Sequence, residues 1–156
     1  MTAKGLQAVR LEFTGAVEML DVVQIVSDHL GRTLGLDEDA IHWVGVAIRE
    51  SVINAIKHGN GNDESKHVFV EFDSAPGGGE PGLMVSVRDQ GEGFDPETVG
   101  NPLEPDNLLK SSGRGIFLIR NFMDEVSLYR APQGGMEIRM VKRLPAGARG
   151  GDALEG

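Results

Sequence analysis

Apolar and polar positions repeat with two different periods in the first third of the chain. Residues 9–13 alternate apolar with charged side chains, which predicts a first strand with one buried face. Residues 17–34 and 39–58 carry apolar side chains at helical spacing, and Asp37 precedes the second run as its expected N-cap. The run 39–58 is the longest uninterrupted helical pattern. The chain is therefore predicted to begin strand, helix, helix.

The remaining patterned segments are shorter and predict two hairpins and one more helix. Residues 89–112 separate them and show little periodicity. Strands joined by hairpins, with helices grouped together, favour a two-layer α/β sandwich. We expect a mixed or mostly antiparallel sheet with helices on one face. Four further strands are predicted at 68–72, 83–87, 126–129 and 136–141, and the helix is predicted at 113–123.

Composition narrows the class of protein. The length of 156 residues and the 40% hydrophobic content fit one domain, expected at 7–144, followed by a disordered tail at 145–156. There is no cysteine, which excludes disulfides and thiolate metal sites. The net charge of −9 argues against nucleic-acid binding and is compatible with a basic protein partner. No apolar run is long enough to cross a membrane, so we expect a cytoplasmic protein.

The predicted helix 39–58 is apolar nearly all round and carries one polar stripe of Glu50, Asn54, Lys57 and His58. At about 100° per residue these four side chains fall within about a quarter turn. The amide oxygen of Asn54 suits Mg²⁺, and Glu50, one turn earlier, is placed to orient or deprotonate a hydroxyl or water. The alternative is a solvated stripe in which Glu50 pairs with Asn54 or Lys57 at helical spacing.

A second cluster, Asp-x-Gly-x-Gly, follows the predicted strand 83–87. Asp89 stands at the strand end, and Gly91 and Gly93 allow the backbone to approach a ligand closely. A carboxylate at this point would recognise adenine by accepting a hydrogen bond from its exocyclic amine. The same residue types are also usual in a plain strand-to-loop turn, so this cluster alone decides nothing.

A third cluster, Ser112, Gly113, Arg114 and Gly115, opens the predicted helix 113–123. Free N–H groups at a helix N-terminus attract phosphates, and Arg114 would add a charge-assisted contact. The cluster is neither a P-loop nor the dinucleotide-binding pattern. Ser112 could equally be an ordinary N-cap, so this signal is weak by itself.

Together the three clusters resemble the N, G1 and G2 boxes of the GHKL, or Bergerat-fold, ATPases. The second starts 35 positions after Asn54, and Gly113 of the third lies 24 positions after Asp89. Residues 49–59 and 113–126 are most similar to the small anti-sigma-factor serine kinases of sporulation and stress-response regulation. The resemblance covers roughly residues 9–142.

The resemblance implies a MgATP site in which each cluster has a role. It makes Glu50 the general base, Asn54 the Mg²⁺ ligand and Asp89 the carboxylate that reads adenine. The stretch from about 98 to 111 becomes a lid over the nucleotide. The other nucleotide-binding positions that it implies are Lys57, His58, Gly91, Gly93, Phe94, Ser112, Gly113, Arg114, Gly115 and Ile116.

The resemblance also implies partners. A member of this family would phosphorylate a hydroxyl on a small antagonist protein, sequester a sigma factor and form a symmetric homodimer. The best-known sporulation kinases carry a partner-gripping arginine in the first helix, whereas the matching residues 19–24 of this chain contain none. The alternative is therefore a nucleotide-dependent binding switch without kinase activity.

Overall fold

A five-stranded antiparallel sheet packs one face against the helices. The computed structural model describes residues 8–14, 17–77, 79–92 and 114–145, with the backbone alone for 114–117. The strands are β1 (Val9–Thr14), β2 (His67–Ser74), β3 (Gly82–Arg88), β4 (Glu125–Arg130) and β5 (Met136–Arg143). The helices are α1 (Leu20–Leu34), α2 (Glu38–Asn54) and α3 (Arg114–Phe122), with a 3₁₀ turn at Val17–Met19 and a π-helical turn at Ala55–Gly59.

The strand order across the sheet is β1-β2-β3-β5-β4, and every described pair is antiparallel. In the middle of the sheet Val70 lies opposite Leu11 on one side and Val87 on the other. The alternation of apolar and polar residues sets this register, because a slip by one residue would turn each buried face outward. The expected two-layer α/β sandwich is confirmed, and its described sheet is antiparallel rather than mixed.

Helix α2 packs against α1, α3 and the central strand β3. Val44, Ala47, Ile48 and Val52 are at most 1% exposed. Burial of a Val or Ile side chain contributes about 1.5–3 kcal/mol, so this apolar side holds α2 firmly in place. The polar stripe of α2 is thereby carried on a fixed element.

The helix ends differ from the predicted runs in two places. Asp37 caps α2 as predicted, because its Oδ1 accepts the Ala40 N–H at 2.8 Å. The run 17–34 begins as a 3₁₀ turn, and α1 itself starts at Leu20. The run 39–58 stops being α-helical after Asn54 and continues as the π-helical turn. Within the described residues, no helix has the length and apolar character that a membrane span requires.

Candidate functional site

The polar stripe of α2 ends in the π-helical turn, which changes the course of the chain. The Asn60 N–H donates to the Ala55 carbonyl at 2.8 Å, the five-residue spacing of a π-turn. The backbone then becomes left-handed at Gly61 (φ 64°) and Asn62 (φ 62°). The segment 59–62 consists of Gly and Asn, but only its last two residues have a positive φ, and Asn60 has φ −84°.

Asp89 stands immediately after β3, and its side chain is only 5% exposed. Its Oδ1 accepts the Gly91 N–H at 2.9 Å and the Met136 N–H at 3.1 Å, so two backbone donors fix the carboxylate. Burial raises the pKa of Asp89, although these two hydrogen bonds and the nearby Arg88 act in the opposite direction. The second cluster therefore holds a buried carboxylate in one orientation.

Three glycines from separate segments allow the backbone to pack closely around Asp89. A Cβ on Gly59 would collide with the Asp89 Oδ2, and a Cβ on Gly135 would collide with the Asp89 carbonyl oxygen. Gly135 also has φ +81°, where a side chain is strained. A Cβ on Gly91 would collide with the Gly59 carbonyl oxygen. The π-helical turn, the loop after β3 and the β4–β5 hairpin therefore pack closely around Asp89, at three positions where a Cβ would not fit.

Gly59 and Gly135 were not among the predicted site residues. In the sequence each looks like an ordinary turn glycine, at 59–62 and at 134–135. The sequence offered one signal: Gly59 directly follows Lys57 and His58, the last two residues of the predicted polar stripe. The structure brings Gly59 against the loop that carries Asp89, and thereby joins the first cluster to the second.

Asn54 carries a buried amide that no described residue satisfies. Its Nδ2 is inaccessible and has no hydrogen-bond partner in the described part of the chain. An unpaired buried N–H donor costs free energy, so a hydrogen-bond acceptor such as a phosphate or water oxygen would be favoured beside the Asn54 Nδ2. The described residues contain no cluster of three or more His, Cys, Asp or Glu for a metal. Mg²⁺ in nucleotide sites needs few protein oxygens beside phosphates and waters, and the Asn54 Oδ1, rather than the unpaired Nδ2, is the atom that fits that pattern.

Glu50 is half-buried one turn before Asn54. It forms no hydrogen bond or ion pair with Asn54 or Lys57, so the pairing expected for a purely structural stripe is not made. Lys57 and His58 are exposed and lie in the π-helical turn. The 100° spacing assumed for them is that of an α-helix, so their position beside Glu50 and Asn54 stays a prediction.

The third cluster is described only from Arg114 onward. Helix α3 begins at that residue, so Arg114, Gly115 and Ile116 form its first turn, as the glycine pattern predicted. Trp43 of α2 stacks on Phe122 of α3, with ring centroids 4.1 Å apart and 15° between the planes. The third cluster is thus held on a helix that contacts α2. Gly93, Phe94, Ser112, Gly113 and the expected lid 98–111 lie outside the described residues.

Comparison with known proteins gives a family and several relatives. The family profile described as histidine kinase-like ATPase domain matches residues 15–142. The serine-protein kinase RsbW of Staphylococcus epidermidis is 28% identical over 143 residues, which cover 87% of this chain and 86% of that protein. The protein of the same name from Oceanobacillus iheyensis is 29% identical over 133 residues, covering 81% and 80%.

A solved structure shares the fold. The crystal structure of the RsbU and RsbW domains of Rv1364c from Mycobacterium tuberculosis superposes with a TM-score of 0.59 at 17% identity. The comparison covers 89% of this chain and 33% of that one, so this chain spans about a third of its length. At this identity the likeness establishes the architecture alone.

Proposed function

We propose, since the chain belongs to the histidine kinase-like ATPase family, that it is a MgATP-dependent serine/threonine protein kinase of the anti-sigma-factor type. It phosphorylates a hydroxyl on a small antagonist protein and sequesters a sigma factor. Relatives named serine-protein kinase RsbW support this activity. The observation that carries the proposal is the junction at Gly59, where the helix of Glu50 and Asn54 reaches the carboxylate of Asp89.

Each cluster has a distinct task in this proposal. Glu50 accepts the proton of the attacking hydroxyl, and Asn54 offers its amide oxygen to Mg²⁺. Asp89, fixed by two backbone donors, accepts a hydrogen bond from the adenine amine. When bound, MgATP supplies the phosphoryl group and a cation that neutralises phosphate charge.

The remaining nucleotide contacts belong to the loop before α3 and to its first turn. The N–H groups of Arg114, Gly115 and Ile116 lie in the first turn of α3, where N–H groups have no partner within the helix. Such groups together with the helix dipole stabilise phosphate. Gly93, Phe94, Ser112, Gly113, Lys57 and His58 remain predicted contacts by resemblance.

Helix α1 offers a surface for a protein partner. Ile25 is 68% exposed and Val22 is 41% exposed, and both lie on the outer side of α1. Exposed apolar side chains next to one another are typical of interaction surfaces. The net charge of −9 favours a basic partner. The homodimer is a further part of the proposal and rests on resemblance alone.

The kinase activity is tested by phosphoryl transfer from labelled ATP. The acceptors are small antagonist-type proteins encoded next to this chain, and the comparison is between wild type and Glu50→Gln. We expect Glu50→Gln to bind ATP normally and to lose at least a hundredfold in transfer rate, the usual scale for a general base. Glu64→Gln, a change at an exposed glutamate outside the site, is the matched control. Transfer by Glu50→Gln at the wild-type rate would remove the proposed base.

The second candidate is a nucleotide-dependent binding switch without phosphoryl transfer. Its support is the absence of an arginine from residues 19–24, where the best-known family members grip their partners. Calorimetry would distinguish the two functions. Tight MgATP binding that changes affinity for a sigma factor, with no label on any acceptor, would favour the switch over the kinase.

A further inference from the structure

Asn60 joins two segments of the chain that are far apart in sequence. Its side chain is buried, with 3% exposure. Its Oδ1 accepts the backbone N–H of Gln90 at 2.7 Å, and its Nδ2 donates to the backbone carbonyl of His67 at 3.1 Å. Its own N–H is held by Ala55 in the π-helical turn. Both ends of the amide are therefore used, and neither faces solvent.

A second hydrogen bond closes the arrangement into a triangle. The side chain of Gln90 also binds His67, because its Oε1 accepts the backbone N–H of His67 at 2.7 Å. His67 is the first residue of β2 and pairs with Thr14 in the sheet. The end of the π-helical turn, the start of β2 and the loop after β3 are thus joined by hydrogen bonds. Gln90 directly follows Asp89, so the triangle holds the residue next to the buried carboxylate.

We infer that Asn60 is a positioning residue for recognition of the nucleotide base. It acts through Asp89 and needs no contact with the nucleotide. Without the amide, the Gln90 N–H and the His67 carbonyl lose their partners, and the loop after β3 is no longer held at a fixed distance from Gly59. The carboxylate of Asp89 would then lose the orientation that lets it accept from the adenine amine. This inference rests on the proposed reading of adenine by Asp89.

A merely structural Asn60 would behave differently. Loss of general stability would weaken binding of every nucleotide alike, because all of them need the folded site. A positioning role weakens only ligands that use the Asp89 hydrogen bond. Purine riboside triphosphate separates the two cases, because it lacks the exocyclic amine and keeps the ring, sugar and phosphates of ATP.

The experiment measures affinities of ATP and purine riboside triphosphate for wild type, Asn60→Ala and Asn62→Gly by calorimetry with Mg²⁺. Asn62→Gly is the matched control, since Asn62 is exposed, has a positive φ that glycine accepts, and lies two residues away. We expect Asn60→Ala to bind ATP about tenfold more weakly, the effect of about one buried hydrogen bond. Its affinity for the analogue should stay within about twofold, and Asn62→Gly should match wild type.

The outcomes separate this inference from the function on which it rests. Equal weakening of both nucleotides by Asn60→Ala, or unchanged ATP affinity, would overturn the positioning role and leave the adenine-reading role of Asp89 in place. A wild type that binds both nucleotides equally would overturn the role of Asp89, and the inference with it. If Asn60→Ala fails to fold, Asn60→Asp keeps the shape and the acceptor for Gln90. It should still lose ATP selectively, because it cannot donate to His67.

Discussion

The carboxylate of Asp89 occupies the space that a side chain on Gly59 would need. A Cβ built on Gly59 collides with the Asp89 Oδ2 and also lies too close to the carbon atoms of that side chain. Asp89 cannot retreat freely, because two backbone N–H groups hold its Oδ1. The last residue of the π-helical turn therefore limits where the Asp89 carboxylate, the group proposed to recognise adenine, can lie.

Gly59→Ala should accordingly impair nucleotide binding. We expect ATP affinity to fall at least about tenfold, because one or more hydrogen bonds to Asp89 must break to make room. Calorimetry measures the affinity. Gly61→Asn is the control, since Gly61 has nothing within 4 Å of a Cβ and has a left-handed backbone that asparagine tolerates. Wild-type affinity in Gly59→Ala would mean that Asp89 is not confined as described.

The raised pKa of Asp89 predicts that its ionised carboxylate lowers the stability of the fold, although the same carboxylate is proposed to bind ATP. The folded protein holds this proton more tightly than the unfolded chain, so stability falls as the pH rises from the ordinary aspartate value through the raised one. Asp89→Asn removes that cost and can keep both hydrogen bonds to its Oδ1. We expect its Tm to exceed that of wild type at pH 8 and the difference to shrink toward pH 4.

The same substitution should weaken ATP binding at least about tenfold, because an amide cannot replace both acceptor oxygens of the carboxylate. Thermal melts at pH 4, 6 and 8 and calorimetry at pH 8 test the two halves. Asp73→Asn, at an exposed aspartate on β2, should show neither effect. A Tm of Asp89→Asn below wild type at pH 8 would mean that the ionised carboxylate stabilises the fold.

Local pattern was sufficient to predict the layers of this fold. Each strand buries one face and each helix one side, so alternation and helical spacing record burial directly in the sequence. Asp37 was predictable as an N-cap for the same reason, because its partner Ala40 is three residues away. The end of α2 was missed because the π-helical turn has no periodic signal in five residues.

The contacts around Asp89 could not be read from local pattern. Gly59 lies 30 residues before it and Gly135 lies 46 residues after it. Their meeting depends on the π-helical turn and on the pairing of β3 with β5. In the sequence, a glycine that leaves room for a carboxylate cannot be distinguished from a glycine that permits a turn. The likeness to known ATP-site boxes named Asp89, and only the fold shows what surrounds it.

Substitution of Asn54 can distinguish a role in Mg²⁺ binding from a role in the stability of the fold. If the amide serves Mg²⁺, Asn54→Ala should abolish most of the gain in ATP affinity that Mg²⁺ provides. It should not lower the Tm, because the substitution removes a buried amide that no described residue satisfies. The measurement is ATP affinity with Mg²⁺ and with EDTA, together with a thermal melt.

Asn54→Asp is the companion variant, because it keeps an oxygen ligand for the cation. The Mg²⁺ effect should survive in Asn54→Asp and disappear in Asn54→Ala. A drop of several degrees in the Tm of Asn54→Ala would instead show that the amide holds the fold together. An unchanged Mg²⁺ effect in Asn54→Ala would place the cation elsewhere.

Trp43 should report nucleotide binding through α3. It is the one tryptophan of the chain and stacks on Phe122, the last residue of α3. Such a pair contributes about 0.5–1.5 kcal/mol, so ordering the first turn of α3 on phosphate would be transmitted to the ring. We expect Trp43 emission to change on ATP titration, with a midpoint equal to the calorimetric affinity.

Phe122→Leu provides the test of this route. It removes the stacked ring but keeps an apolar side chain between the helices, so ATP affinity should stay within about threefold. The fluorescence change should shrink strongly, because the contact that carries it is gone. If the change persists in full in Phe122→Leu, Trp43 senses the nucleotide by another path. If calorimetry shows binding while wild-type emission stays constant, the first turn of α3 does not rearrange on the nucleotide.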